Sequence, residues 1–206
     1  MNYDKKMKEQ INGLDDNNKL LLHVCCAPCS SATLERLGNK FDIDILYFNP
    51  NISDEEEYNK RLNELKRFIS EYNENIKVID GRYEPLEFFK LVKGLEKEKE
   101  RGKRCYECYN YRLEETAKVA SKLGYDYFAT SLTLSPYKNS DWINEIGSKL
   151  DSKYKATYLY SDFKKENGYK RSIELSKEFN LYRQDYCGCI FSKIEREEYK
   201  KEKGDI

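Results

Sequence analysis

The chain has 206 residues, of which 36% are charged, and its 37 Lys plus Arg balance 37 Asp plus Glu, so any nucleic-acid surface is a local patch and not a global field. No window approaches the roughly 18 apolar residues of a membrane span, and residues 1–14 lack the apolar stretch of a signal peptide. A cytoplasmic, reducing compartment is therefore expected, where seven cysteines point to metal or redox chemistry and not to structural disulfides.

In chain order, residues 3–13 read as a short polar helix inside an N-terminal extension over 1–18. Residues 19–24 read as a buried strand, an apolar run with polar ends. It stops at Cys25-Cys26-Ala27-Pro28-Cys29, where Pro28 suits a first helical turn, and the helix runs to Gly38 as a left-handed cap. Residues 41–48 form a second strand. Ser53 and Glu56 read as a capping box opening a long helix with Leu62, Leu65, Phe68 and Ile69 at helical spacing.

A short third strand spans 76–79, a helix 85–95, and a charge run 96–104 reads as solvated. Cys105 opens a further helix that ends at Gly124. A fourth strand covers 125–131, a loop 134–140, a helix 141–150 and a fifth strand 156–160. The chain closes with a helix over 168–179, a turn at 186–189 and a charged helix over 190–206. Alternating strands and helices predict a single α/β domain over 1–206, a Rossmann-like parallel sheet with helices on both faces.

The chemistry-bearing residues cluster at element ends. Cys25, Cys26 and Cys29 follow the first strand, the place where a nucleotide-binding fold carries glycines, and neither G-x-G-x-x-G nor a Walker A loop is present. Cys105 and Cys108 form a C-x-x-C pair at a helix N-terminus, whose dipole favours thiolates. Cys187 and Cys189 flank Gly188, so both sulfurs can face one site or form a strained, reducible disulfide.

With one histidine in the chain, ligation is by thiolates, which leaves zinc or iron–sulfur. Zinc would use four cysteines and leave three idle, whereas a cluster would leave three for a second task. His23 reads as a packed or supporting residue. Tyr106, Tyr109 and Tyr111 suit base stacking or an ordinary core, and residues 164–171 are the local basic candidate for phosphates.

The segments L-L-H-V-C-C-A-P-C-S (21–30), F-N-P-N-I (48–52), R-C-Y-E-C-Y-N-Y-R-L (104–113), A-T-S-L-T-L-S-P-Y-K-N-S (129–140) and Y-C-G-C-I-F-S (186–192) together resemble the QueH family. The resemblance implies a fold similar to the adenine-nucleotide α-hydrolase (HUP) group without its nucleotide loop. It also implies an oxidoreductase that reduces epoxyqueuosine to queuosine at the wobble position of tRNA, the last step of queuosine synthesis. By the same resemblance a 4Fe–4S cluster falls on Cys25, Cys26, Cys105 and Cys108. Cys187 and Cys189 match a redox-active pair or ligands of an additional mononuclear iron, with Cys29 beside them.

The implied partners are tRNA carrying epoxyqueuosine in its anticodon loop and an electron donor, with no membrane. Arg104, Tyr106, Tyr137 and Lys138 stand as RNA contacts, and Asp185, Tyr186 and Tyr137 as proton donors. Two other readings stay open: cluster-dependent tRNA thiolation, which requires ATP, and a metal-bearing RNA-binding module without chemistry.

Overall fold

Leu20, Leu21 and Leu22 are completely buried, and the two-residue period of a strand sends them to opposite faces of a sheet. Leu20 and Leu22 join one apolar cluster and Leu21 another. A strand covered on both sides is what a continuous apolar run predicts. The computed structural model describes residues 1–15 and 17–204.

The elements are α1 (Tyr3–Asn12), β1 (Asn18–His23), α2 (Ala27–Leu37), β2 (Phe41–Tyr47), α3 (Glu55–Tyr72), β3 (Val78–Asp80) and α4 (Pro85–Leu91). They continue with α5 (Lys103–Leu123), β4 (Tyr127–Thr130), a 3-10 turn (Ser131–Leu134), α6 (Ser140–Asp151), β5 (Thr157–Tyr158), α7 (Gly168–Glu178) and α8 (Ile190–Lys203). The five strands are parallel, in the order β3-β2-β1-β4-β5. On one face Leu34, Leu65, Phe68 and Leu175 bring α2, α3 and α7 onto Leu20, Leu22, Ile43 and Ile45. On the other, Leu113 and Ala117 of α5 and Ile143 and Ile146 of α6 cover Leu21, Leu46 and Phe128.

Several local expectations are corrected. Asp54, not Ser53, caps α3, accepting from the backbone N–H groups of Glu56 (2.9 Å) and Glu57 (3.2 Å). A carboxylate there also meets the positive end of the helix dipole. The Ser53 hydroxyl instead accepts from the Ile190 N–H, at 3.0 Å. Gly38 is right-handed, so α2 ends without a left-handed cap, whereas Gly124 ends α5 with φ of 79°. The strand expected over 156–160 pairs only through Thr157 and Tyr158.

Order decides where a ligand can sit. After β1 the chain builds β2 and β3 to one side, then returns to add β4 and β5 on the other. The crevice beyond the carboxyl ends of β1 and β4 is the topological switch point, the usual binding place in open parallel sheets.

Candidate metal–thiol centre

The β1 strand ends at the switch point, and Cys25 and Cys26 follow it after Val24 alone. Cys26 is the extended N-cap of α2, and Pro28 lies in that helix's first turn. The turn folds Cys29 back, its N–H donating to the Cys26 carbonyl at 3.2 Å. As a result the sulfurs of Cys25, Cys26 and Cys29 all lie within 4.8 Å of one another, with Cys25 and Cys26 Sγ 3.7 Å apart. Among the described residues this is the one group of three or more His, Cys or carboxylate ligand atoms so close together. Cys26 is held well below the usual thiol range because Cys25 and Cys29 hydrogen-bond to it, and Cys29 is raised by the same contacts.

The second arm is the start of α5. Cys105, Cys108 and Arg112, all buried, recur at three and four residues and share one helix face. Cys105 Sγ accepts from the Arg101 N–H at 3.3 Å. Burial pushes the Cys105 thiol up and the Cys108 thiol to about 12.

The third arm is the turn before α8. Gly188 has φ of 113°, and its carbonyl accepts from the Ser53 N–H at 3.2 Å. The Cys187 carbonyl accepts from Arg61 Nη1 at 3.1 Å, and Cys187 Sγ accepts from Lys138 Nζ at 2.9 Å. Cys189 caps α8 through its sulfur, which accepts from the Ser192 N–H at 3.4 Å. It packs with Cys108, Phe88 and Val92, and burial raises its thiol to about 11.

All seven cysteines are free thiols, Cys187 and Cys189 among them. The motifs grouped Cys25 and Cys26 with Cys105 and Cys108, and Cys29 with Cys187 and Cys189. In the structure Cys29 closes on Cys25 and Cys26, while Cys108 and Cys189 share a small apolar cluster.

Buried cations surround the thiols, and of these sequence reasoning missed Arg61 and Arg112. Arg61 and Arg112 are 2% and 1% exposed and Lys138 is 8% exposed. His23, the last residue of β1, is completely buried, its Nδ1 2.9 Å from Thr130 Oγ1 and its Nε2 3.3 Å from Arg112 Nε. Burial, then the Arg112 charge, lowers its pKa to about 3, so the ring is neutral and serves as a support. Asn49 joins the same network: its amide donates to the Val24 carbonyl at 2.9 Å and its oxygen accepts from Arg112 Nη2 at 2.5 Å. Both Asn49 and Arg112 stand inside the quoted motifs, which was the available signal.

The expected RNA contacts divide. Arg104 is 2% exposed, pairs with Glu195 at 3.0 Å and donates to the carbonyls of residues 96 and 98; its guanidinium has no face for a phosphate. Lys138 is likewise spent on Glu100 (3.1 Å) and Cys187. Both expectations are corrected, because burial forces each cation to find a partner inside the chain. Tyr137 is 64% exposed and Tyr106 lies edge-on to Trp142 at 5.5 Å. Tyr109 is buried and Tyr111 packs edge-on against Phe48, so neither offers a free stacking face. Asp185 is ion-paired with Lys200 (2.6 Å) and Arg196 (3.2 Å), which hold its carboxyl below the ordinary range and remove it as a proton donor.

An all-sulfur donor set in a buried crevice suits a thiophilic centre, iron–sulfur or zinc, and the thiols raised by burial would lose their protons to such a cation. The three close sulfurs meet that requirement without rearrangement of the backbone turn that carries them.

The family model described as Epoxyqueuosine reductase QueH matches residues 20–195. Proteins named Epoxyqueuosine reductase QueH are similar over most of the chain. That of Streptococcus pyogenes serotype M1 is 43% identical over 199 residues, 93% of this chain and 78% of the relative. That of Staphylococcus epidermidis is 44% identical over 205 residues (95% and 86%), and that of Thermotoga maritima 36% over 182 residues (87% and 92%). Among solved structures, the U34-tRNA thiolase NcsA from Methanococcus maripaludis, with its [4Fe-4S] cluster, has a TM-score of 0.55. It is 13% identical, over 92% of this chain and 67% of that one, a likeness of fold alone.

Proposed function

The chain belongs to the epoxyqueuosine reductase QueH family, and we propose that its thiol-lined switch point is where epoxyqueuosine, carried at the wobble position of tRNA, is reduced to queuosine. The enzyme is an oxidoreductase. The reaction removes the epoxide oxygen as water, breaking two C–O bonds and forming a C=C bond with two electrons and two protons. The observation that carries this reading is the close sulfur triad of Cys25, Cys26 and Cys29 at the crevice beyond β1 and β4, with Cys108, Cys25 and Cys187 all facing the buried Arg112, in a chain of this family.

In this reading Cys25, Cys26, Cys105 and Cys108 hold a 4Fe–4S cluster, with Cys29, Cys187 and Cys189 as the adjoining redox dithiol or ligands of a further iron. A cluster of this kind, when bound, supplies electrons singly at a potential set by its surroundings. The chain's own groups do the rest. Lys138 fixes the Cys187 sulfur at 2.9 Å and Arg61 fixes its carbonyl, so the third arm cannot swing away. Phe88, Val92 and Phe191 exclude water behind Cys108 and Cys189. A cavity of about 340 Å³ beside the Cys187–Cys189 turn, walled by Phe89, Tyr186, Ile190, Asp54 and Lys193, takes the splayed modified nucleobase, aromatic rings being the usual platform for unstacked RNA bases. Tyr137 and Tyr106 are the remaining RNA-facing candidates, and the setting is the cytoplasm.

The decisive measurement is mass spectrometry of wobble nucleosides from a strain lacking this chain and any second reductase. Accumulated epoxyqueuosine is the expected result, and unchanged queuosine would refute the reading. Anaerobically purified protein should be brown and carry about four iron and four sulfide per chain; a colourless protein holding stoichiometric zinc would refute the cluster. The fold of a tRNA thiolase makes sulfur transfer the second reading. ATP-dependent sulfur incorporation into tRNA in vitro would favour it, against the absence of a phosphate-binding glycine loop after β1.

A further inference from the structure

The buried cations of this pocket are not equivalent. Arg61 pairs with Glu57 at 2.7 Å, Arg104 with Glu195 at 3.0 Å and Lys138 with Glu100 at 3.1 Å. Arg112 is as deeply buried as any of them, and among the described residues it forms no ion pair with a carboxylate. Apart from the Cys108 thiol, its side-chain partners are the oxygen of Asn49 and the ring of His23, neither of them an anion. His23 offers Arg112 no negative charge.

An uncompensated charge in a protein interior is strongly unfavourable, so a fold keeps one only where an opposite charge will occupy the same space. The ionisable groups facing Arg112 are thiols, first Cys108, then Cys25 and Cys187. These belong to three different segments: the turn after β1, the start of α5 and the turn before α8. Arg112 stands one helical turn beyond Cys108 on the same face of α5, and His23 and Asn49 tie it to the ends of β1 and β2.

We infer that Arg112 is the countercharge of the thiolate centre: a positioning residue whose buried guanidinium is left without a carboxylate so that the anionic sulfur ligands of a bound metal or cluster complete its ion pair. The inference rests on the proposed metal–thiol function and assigns within it a residue that touches no metal. It makes the metal-free protein the strained state and the loaded one the satisfied state. Removing the charge then weakens the loaded form more than the empty one, a signature that a purely architectural arginine does not give.

The test uses the full chain, stripped of metal under reducing, anaerobic conditions, with Co²⁺ and Zn²⁺ as probes. Arg112→Gln removes the charge and retains an amide donor for Asn49; Arg112→Lys retains the charge. Melting temperature is measured with and without Zn²⁺, and affinity by competition, with the sulfur-to-cobalt charge-transfer band reporting thiolate ligation. The expected result for Arg112→Gln is a metal-free melting temperature close to wild type, a much smaller rise on adding Zn²⁺, and affinity lower by about tenfold or more. Arg112→Lys should keep affinity within a few-fold of wild type.

After cluster reconstitution, the Arg112→Gln midpoint potential should lie below that of wild type, since a nearby cation favours the more negative, reduced state. An Arg112→Gln protein that melts as far below wild type empty as loaded, or that binds both ions as wild type does, overturns the inference. A wild-type chain that takes up neither ion nor cluster overturns the proposed function itself, which keeps the two failures apart.

Discussion

Gly188 is the residue on which the third arm depends. A Cβ at this position would lie 2.9 Å from Ile52 Cγ1 and 3.1 Å from Arg61 Nη1, and the backbone φ of +113° is one that other residues rarely adopt. Gly188→Ala is therefore expected to cost on the order of 1–2 kcal/mol from the backbone alone. It should also displace the Arg61 contact that holds Cys187, lowering turnover by tenfold or more while leaving far-UV circular dichroism unchanged; a thermal melt paired with a reductase assay measures both. At the cavity beside it, Phe89→Ala should raise the KM for tRNA several-fold with iron content unaltered, because the ring, 38% exposed, offers its face without touching a sulfur. An Phe89→Ala protein with wild-type KM would remove the base from that cavity.

At the scale of elements, the long helix α3 is tied to the segment that delivers the third arm. Glu64 accepts from the Tyr182 N–H at 2.6 Å and pairs with Arg67 at 2.9 Å, and Arg67 Nη2 donates to the Phe179 carbonyl at 3.0 Å. Arg67, then the Tyr182 N–H, holds the Glu64 carboxyl below its ordinary range. A carboxyl so depressed adds stability above its unfolded value of about 4.3, and that stability is lost as pH falls through the lower folded value. Glu64→Gln should thus lower the unfolding free energy read from urea titrations at neutral pH, by about 1 kcal/mol for the weakened backbone bond, and the gap to wild type should close towards pH 3. A gap that stays constant with pH would show that the charge contributes nothing.

For the molecule as a whole, the thiols come from segments far apart in sequence, at 25–29, 105–108 and 187–189. A metal bound across them closes two long loops, and what binds only the folded state stabilises it by mass action. Loaded protein should melt well above metal-free protein, and Cys108→Ala should abolish most of that difference while changing the metal-free melt less. With Arg104 and Lys138 buried and ion-paired, tRNA affinity is expected to weaken only modestly with salt, since neither cation is available to displace counterions from phosphates. A steep salt slope would reveal a basic surface that the burial of Arg104 and Lys138 argues against.

Much of this architecture was legible in the residues. Apolar runs of strand length alternating with amphipathic stretches dictate a parallel sheet covered on both faces, and placing Cys25, Cys26 and Cys29 directly after β1 puts thiols at its carboxyl edge whatever the loops do. The motif spacing also put two cysteines on one face of α5, because an α-helix brings residues three apart together. What only the tertiary structure decided was how charge is distributed around those sulfurs. Arg104, Lys138 and Arg112 look alike in sequence, as cations beside cysteine motifs. Burial separates them: Arg104 and Lys138 find carboxylates contributed from elsewhere in the chain, and Arg112 finds none among the described residues. Pairing across 91 residues, as between Arg104 and Glu195, follows from packing and not from local pattern. The sequence by itself determined that thiols gather at the sheet's switch point; the fold decided which cation is left for them to neutralise.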